Sequence, residues 1–285
     1  MRKMLTIAFM VFYATMLVSQ PGVSHSPDSL TISISGCNDS SQSLLVLGNT
    51  GSDTLFYNLD AEARLVEDFD DGLDPDFWHS VTNLIASGSC GSVSATNALY
   101  FTGSGTREAV TKPFDVAENL IVSFYLKFAT GSSPCENADA NEDMVLEYSN
   151  DLGASFQIFR TYDTEAYPNF TLITEDLSAV ITARKVMLRW RQVAHSGGSS
   201  DNLAIDNITL TSSARSIAGF AFSSGHIIPG QQVIIPVTFY AASLATGVYR
   251  FNLVVTTNDS ANPSLFIPVE LTVSGDAWLD ISKSH

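Results

Sequence analysis

Residues 233–273 read VIIPVTFYAASLATGVYRFNLVVTTNDSANPSLFIPVELTV. Three runs rich in β-branched and aromatic residues stand in this stretch, at lengths typical of extended strands. The segments between them contain the Gly, Asn, Asp and Pro residues that favour turns. The stretch therefore predicts three short strands, at Val233–Tyr240, Tyr249–Thr256 and Leu265–Val273.

The same kind of pattern recurs toward the N-terminus. Leu120–Phe128 alternates so that every second side chain is apolar, and in Val186–Val193 basic and apolar residues alternate. Two shorter runs, Leu44–Leu47 and Met144–Tyr148, complete the set. No long apolar run at helical spacing follows Ser26. The sequence thus predicts an all-β chain of sandwich type, with polar or glycine-rich turns between many short strands.

The composition of the 285-residue chain excludes some classes of function. Lys and Arg total 14 against 30 Asp and Glu, a formal net charge of −16, yet 45% of the residues are hydrophobic. That hydrophobic content argues against a disordered acidic tail. We expect no nucleic-acid partner, because phosphate binding needs clustered Lys and Arg. A divalent cation is the partner that such a chain suggests.

The N-terminus carries a pattern typical of export. Arg2 and Lys3 precede an apolar run at Leu5–Val18, and polar residues follow it. The run is shorter than the ~20 residues of a membrane-spanning helix. It predicts a signal peptide over residues 1–25, with cleavage at Ser19 or near Ser24, and a secreted chain without a membrane span.

Export places the three cysteines in an oxidising compartment. One pair is expected among Cys37, Cys90 and Cys135, and one thiol is left over. Counting alone leaves all three pairings open.

Sequence motifs near the two ends of the chain belong to one and the same pattern. The run Leu44–Leu59 contains Asn49-Thr50-Gly51-Ser52-Asp53-Thr54-Leu55 and predicts an edge hairpin. Further matches are Pro229-Gly230, Gly247-Val248-Tyr249, Asn258-Asp259, Asn262-Pro263 and Ile267-Pro268-Val269. Together they resemble the opening and the ending of the immunoglobulin-like modules of bacterial surface and secreted proteins. The resemblance implies one sandwich, built from residues 26–63 and 214–275, that is split by an inserted domain. The alternative is two incomplete domains in series.

The intervening residues 64–213 carry a second resemblance. The residues that carry it are Glu67-Asp68-Phe69, Trp78, Cys90-Gly91, Ala98–Phe101, Arg107, Phe114–Val116, Ile121–Leu126, Cys135, Val145–Ser149, Gly153–Phe156 and Asp201–Ile208. These motifs resemble a reelin-type subrepeat, a jelly-roll module of the animal extracellular matrix. The resemblance implies a jelly-roll sandwich inserted within an immunoglobulin-like β-sandwich. The tail at 276–285 resembles the start of a further module.

The reelin-type resemblance also implies specific site residues. It selects Cys90–Cys135 as the disulfide and leaves Cys37 unpaired. It implies one calcium ion where the first and last strands of the jelly roll meet, held by Glu67 or Asp68 together with Asp206. Calcium prefers six to eight oxygen ligands of this kind. Residues 64–213 hold 21 acidic and 9 basic residues, so most of the net charge of the chain lies in this segment.

The remaining acidic residues suggest no enzyme. The sequence contains neither the HExxH motif nor the Gly-x-Ser-x-Gly motif. We interpret Asp70, Asp71, Asp74 and Asp76 as a solvated loop. Glu136, Asp139, Glu142 and Asp143 offer a carboxylate pair of the glycosidase type, but a solvated loop next to Cys135 is the favoured interpretation.

The sequence accordingly predicts a secreted, non-enzymatic binding or adhesion module of the extracellular matrix, stabilised by calcium, whose partner is an extracellular protein or glycan. The alternative is a carbohydrate-binding accessory region of a larger exported enzyme. A structural spacer in a repeat array is a third possibility. Trp78, Tyr162, Tyr167 and Trp278 are the aromatic residues considered for sugar stacking, although core positions are the favoured interpretation for most of them.

Overall fold

A computed structural model of the chain describes residues 19–36, 39–242 and 244–275. Within these residues it forms twenty β-strands, a short 3-10 turn at Thr164–Ala166 and no α-helix. The first ten strands are β1 (Val23–Ser26), β2 (Leu30–Ser35), β3 (Ser40–Asn49), β4 (Leu55–Glu67), β5 (Trp78–Thr82), β6 (Leu84–Ser87), β7 (Ala98–Phe101), β8 (Arg107–Thr111), β9 (Phe114–Asp115) and β10 (Ile121–Phe128). The second ten are β11 (Met144–Ser149), β12 (Gln157–Tyr162), β13 (Thr171–Asp176), β14 (Lys185–Gln192), β15 (Leu203–Ser213), β16 (Ala218–Phe220), β17 (Ser224–Ile227), β18 (Gln232–Tyr240), β19 (Gly247–Thr257) and β20 (Ser264–Ser274).

The strands form three sheets. A four-stranded sheet has the order β1-β3-β18-β16. A ten-stranded sheet follows the order β13-β10-β15-β4-β19-β20-β2, with β17, β6 and β7 attached to it. A six-stranded sheet has the order β12-β11-β14-β8-β5, with β9 paired to β14. The predicted all-β sandwich class is confirmed.

Each predicted strand is present. The three runs in residues 233–273 form β18, β19 and β20, and Leu120–Phe128 forms most of β10. In β10 the side chains of Val122, Phe124, Leu126 and Phe128 are fully buried, whereas the residues between them are half-buried. Strict alternation identified these strands because one face of each packs against a core.

The predicted edge hairpin at Leu44–Leu59 is wrong. Its two strands exist as β3 and β4, but they lie in different sheets and do not pair. The buried Asn49 side chain explains the difference: its Nδ2 atom donates to the carbonyls of Asp53 (2.7 Å) and Ile227 (2.8 Å), and its Oδ1 atom accepts from the Gly51 amide. These bonds hold a turn that leads from one sheet to the other.

Strands from the two ends of the chain pair with each other. β3 pairs with β18, β4 pairs with β19, and β2 runs parallel to β20. The 13-residue strand β4 continues past this region and pairs with β15 over residues 62–67. Glu62 is paired on both sides, to Asn252 of β19 and to Ser213 of β15. The predicted boundary at residue 64 therefore falls inside a continuous strand, and the division into two domains stays a prediction.

One hydrophobic cluster extends through both regions. It contains Leu45, Phe239 and Leu253 from the strands near the chain ends, and Phe124 and Trp190 from the strands between them. The core thus follows β4 from one region to the other without interruption.

Several predictions concern residues outside the described ranges. These are most of the signal peptide, at 1–18, together with Cys37, Trp278 and the tail at 276–285. Val23–Ser26, at the end of the predicted signal peptide, forms β1 and pairs with β3. Of the two predicted cleavage positions, Ser19 lies before this strand and Ser24 lies within it.

Candidate functional site

Glu67 ends strand β4 and points into the core. It pairs in register with Ile208, which is fully buried, and its own side chain is also buried. Its carboxylate accepts hydrogen bonds from the Phe69 amide (3.0 Å), the Asp74 amide (2.9 Å) and the Trp78 indole (2.8 Å). Burial raises the pKa of Glu67, and the three donors oppose that rise. This carboxylate closes the loop that follows β4.

Asp206 lies on the opposite face of the same sheet. Leu203 and Ile205 point into the core, and Asp206 points away from it, as the alternation predicts. The register of β15 against β10 shifts just beyond Asp206, at a β-bulge where Asn207 adopts a φ of 50°. The side chain of Asp206 is nevertheless buried, because the segment around Val93 lies over it.

The Asp206 carboxylate anchors that segment. Its Oδ2 atom accepts from the backbone amides of Val93 (2.6 Å) and Ser94 (3.2 Å), and Oδ1 accepts from the Asn207 amide (2.8 Å). The Ser94 hydroxyl lies 3.3 Å from Asp206 Oδ1 and 3.3 Å from the carbonyl oxygen of Asp68. Asp68 therefore approaches Asp206 through its main chain, while its side chain is exposed.

The predicted calcium ligands are only partly brought together. Asp206, the Asp68 carbonyl and the Ser94 hydroxyl lie close to one another, but Glu67 faces the core on the other side of the sheet. In the part of the chain that the structure describes, the carboxylates of Glu67, Asp68 and Asp206 do not all lie within 4.8 Å of one another. Of the two residues expected to act together with Asp206, Asp68 lies near it through its carbonyl oxygen, and Glu67 does not.

A different group of carboxylates does converge. Oxygens of Asp139, Glu142 and Asp201 lie within 4.8 Å of one another, and the last two side chains are buried. The predicted solvated loop is confirmed for Asp139, whose side chain is exposed, and is wrong for Glu142, whose side chain is buried. No local signal in the sequence indicates the proximity of Asp201, which is 59 positions away from Glu142 along the chain.

The electrostatics of this group favour a shared proton. Burial and the neighbouring carboxylates of Asp201 and Asp139 raise the pKa of Glu142 to about 7, despite a hydrogen bond from the Asp139 amide. Burial alone would raise the pKa of Asp201 as well, but bonds from Ser196 and Glu142 and the charge of Arg107 lower it. Carboxylates at this separation can hold a cation. Glu142 and Asp201 can equally share one proton between them.

Arg107 supplies a positive charge beside the group. Its guanidinium is fully buried and donates to the carbonyls of Gly103 (3.0 Å), Asp201 (2.7 Å) and Ser200 (2.9 Å), and to the Gln192 side chain (2.9 Å). A buried arginine with these partners fixes the loop before β15. This loop carries Asp201, so Arg107 sets the position of that carboxylate.

The disulfide Cys90–Cys135 is present, which confirms the pairing that the resemblance implied. It closes 45 residues and covers a small apolar cluster of Ala98, Tyr100, Ala129 and Ala204. Two loops, 88–97 and 131–142, are thereby joined over the outer face of the ten-stranded sheet.

The aspartates of the loop after β4 and the aromatic candidates for sugar stacking lie in different environments. Asp71, Asp74 and Asp76 are exposed, as expected for a solvated loop, and Asp70 is half-buried, accepting from the Thr96 amide (2.9 Å). Among the described aromatic candidates for sugar stacking, Trp78 and Tyr162 are buried in the core and Tyr167 is half-buried against it. The core interpretation of these aromatic residues is confirmed.

The middle of the chain is similar to one known protein family. Residues 85–211 match the family model for Reelin subrepeat B. The matched range contains the disulfide, the Asp139–Glu142–Asp201 group and Asp206. The match supports an extracellular binding module. None of the described residues form a helix of the length and apolar character that crossing a bilayer requires.

Solved structures similar to this chain share little sequence with it. The ASH/PapD-like domain 7 of human CEP192 is 11% identical over 96% of this chain and 99% of that one, with a TM-score of 0.32. A family 35 carbohydrate-binding module from Clostridium thermocellum is 12% identical over 52% and 97% of the two chains, with a TM-score of 0.32. A second carbohydrate-binding module, Family 16 Carbohydrate Binding Module-2, is 13% identical over 50% and 92%, with a TM-score of 0.30.

Proposed function

We propose that this chain is a secreted, non-catalytic module that binds an extracellular protein or glycan, in adhesion or in matrix assembly. The observation that carries the proposal is the match of residues 85–211 to Reelin subrepeat B. The disulfide within that range supports it, because such bonds persist in oxidising compartments. The insertion of the jelly roll into a sandwich of the bacterial-surface immunoglobulin type belongs to the same proposal. It is supported by the pairing of β3 with β18 and of β4 with β19.

Calcium is the second part of the proposal. The oxygens of Asp206, of the Asp68 carbonyl and of the Ser94 hydroxyl are the donors that favour an ion at this position. A bound ion would tie the end of β4 to the segment 93–97, and it would neutralise charge in the most acidic part of the chain.

Thermal unfolding tests the calcium part. We expect a chelator to lower the Tm of the purified chain, and we expect Asp206→Ala to remove that response. Asp71→Ala is the matched control, because Asp71 is an exposed carboxylate of the loop between β4 and β5. An identical Tm with calcium and with chelator would refute the ion.

Retention on immobilised ligands tests the proposed binding function. We expect the chain to be retained on an immobilised panel of matrix proteins or on a glycan array, with saturation at increasing concentration. Retention on neither surface, by a chain that is folded according to circular dichroism, would refute the binding function.

A carbohydrate-binding accessory region of a larger exported enzyme is the second candidate. The observation that favours it is a cavity of about 490 Å³ at one end of the six-stranded sheet, lined by polar loops that include Thr106, Gln192 and His195. Pockets of this size accommodate small ligands such as sugar rings. Specific retention on the glycan array together with no retention on matrix proteins would favour this candidate over adhesion.

A further inference from the structure

The four-stranded sheet is built entirely from uncharged residues. Its strands β1, β3, β16 and β18 comprise 26 residues, and none of these is Asp, Glu, Lys or Arg. At the average for the whole chain, 15%, a set of this size would contain about four. The same four residue types are also missing from the whole segment 216–249. The sheet therefore presents a neutral surface in a chain whose formal net charge is −16.

The other two sheets carry ion pairs on the faces that point away from the core. On the six-stranded sheet, Arg189 lies 2.6 Å from Glu147. On the ten-stranded sheet, Arg250 lies 2.8 Å from Glu270, and both side chains are exposed. The lack of charge is therefore specific to the four-stranded sheet and does not follow from the all-β fold.

The outer face of the four-stranded sheet carries a contiguous apolar patch. Alternation directs every second side chain of β3 and β18 away from the core. Four of the outward residues are apolar and lie directly opposite each other, Leu44 with Pro236 and Val46 with Ile234. Leu44 is 51% exposed and Ile234 is 57% exposed, whereas Val46 and Pro236 are half-buried. We call these four residues the β3–β18 patch.

Uncharged polar residues surround the β3–β18 patch. Ser26 of β1 lies beside Val46, and the pair of Gln42 with Thr238 follows the pair of Leu44 with Pro236. On the far side, the Tyr240 ring lies over Gly219, where a Cβ atom would come within 3.1 Å of it. An apolar centre that lacks charge is typical of the middle of a protein interface, and contiguous exposed apolar residues mark interaction sites.

The net charge of the chain favours a second copy as the partner. Two copies of a chain with a formal charge of −16 repel each other in most orientations. Two four-stranded sheets that meet face to face bring no charged strand residues together, and their side chains can pack as they do between the sheets of a β-sandwich. A basic partner would instead be drawn to the acidic surfaces, because a neutral face offers it no attraction.

We infer that the chain forms a symmetric dimer in which the β3–β18 patches of two copies stack on each other. A two-fold axis lets the same patch serve on both sides, and the contact buries Leu44 and Ile234 of each copy. None of the four strands of this sheet lies within residues 85–211, so the region that matches Reelin subrepeat B stays available. The dimer is independent of the proposed ligand and would present two binding modules together.

Sedimentation velocity tests the dimer on the secreted form that begins at Ser19. A Cys37→Ser background prevents this cysteine from linking two copies. We expect the mass to rise from that of a monomer toward that of a dimer between about 1 and 200 µM, the range of a weak interface. Raising NaCl from about 50 to 300 mM should strengthen the association, because salt screens the repulsion between the acidic copies.

Ile234→Lys is the variant that should abolish the dimer in this range. It would place two like charges against each other in an apolar contact. The matched control is Ile158→Lys, which adds the same charge at an isoleucine that is 58% exposed on β12 of the six-stranded sheet, and we expect it to leave the dimer unchanged. An equimolar mixture of Ile234→Lys and Ile234→Glu should associate again, because the charges then attract.

Three outcomes would overturn the inference. The first is an unsubstituted chain that stays monomeric over the whole range, which would leave the patch to a different partner. The second is equal loss of association in Ile234→Lys and Ile158→Lys. The third is no recovery in the mixture although both variants keep the circular dichroism spectrum of the unsubstituted chain. Retention on matrix proteins or glycans by a monomeric chain would refute the dimer and leave the proposed function intact.

Discussion

At the scale of single residues, two buried carboxylates behave differently from the exposed acidic residues around them. Glu67 is surrounded by three N–H donors and holds the loop after β4 against Trp78. Glu142 faces two other carboxylates. We expect the first arrangement to contribute to the free energy of unfolding and the second to make stability depend on pH.

Replacement of Glu67 separates a structural carboxylate from a calcium ligand. Glu67→Gln leaves one acceptor oxygen where two accept now and turns an amide toward N–H groups. We expect a loss of about 2–3 kcal/mol in the free energy of unfolding, measured by urea denaturation. The loss should be the same with calcium and with chelator, because the donors come from the protein itself.

Asp68→Asn is the control for that measurement. Its side chain is exposed, so we expect a change within about 0.5 kcal/mol. A loss at Glu67→Gln that appears only in the presence of calcium would contradict the structural role and return Glu67 to the ion.

Glu142 makes stability depend on pH. Its pKa rises from 4.5 to about 7, so the folded state retains a proton that the unfolded state has released. This contribution is fully present below the ordinary value of 4.5 and is lost as the pH rises through about 7. We expect Glu142→Gln to flatten the decline in Tm between about pH 5 and 8.

The comparison needs a carboxylate without such neighbours. Glu165 is exposed, and Glu165→Gln should leave the pH profile of the Tm unchanged. A profile for Glu142→Gln that parallels the unsubstituted chain would mean that Glu142 and Asp201 do not share a proton.

At the scale of elements, the sequence predicts strands better than their partners. Alternation in β10 and β14 is a local property, because each strand has one face on the core, and it could be read directly. The prediction of an edge hairpin at Leu44–Leu59 was wrong because the pairing of strands depends on long-range contacts. Asn49 binds the Ile227 carbonyl, 178 positions away, and nothing near Asn49 signals that bond.

The site residues show the same limit. The outward direction of Asp206 follows from alternation, but its burial depends on the segment at 93–94, which only the fold brings over it. Glu67 could not be separated from Asp68 by residue type, and the pairing of β4 with β15 decides which of them faces the core. The disulfide was predicted because a family resemblance, rather than spacing, selected the pair.

At the scale of the whole molecule, β4 couples the two regions of the chain. Its first half pairs with β19 and its second half pairs with β15, while one hydrophobic cluster extends along it. An inserted domain on flexible linkers would unfold by itself, because few contacts would cross the boundary. A shared strand and core instead favour a single cooperative transition.

Leu253→Ala tests this coupling at a distance. Leu253 is fully buried on β19, opposite Ala61 of β4, so its truncation should cost about 3 kcal/mol. The buried Trp78 and Trp190 report on the other region by fluorescence, in a Trp278→Phe background that removes the remaining tryptophan. If β4 transmits the loss of stability, the thermal midpoints from tryptophan fluorescence and from circular dichroism fall together, by about 5–10 °C. The control is Thr256→Ala, at an exposed position of the same strand, and we expect it to change neither midpoint. A fall in the circular dichroism midpoint with an unchanged tryptophan midpoint would instead show that the two sandwiches unfold independently, because the strand they share would then transmit no stability between them.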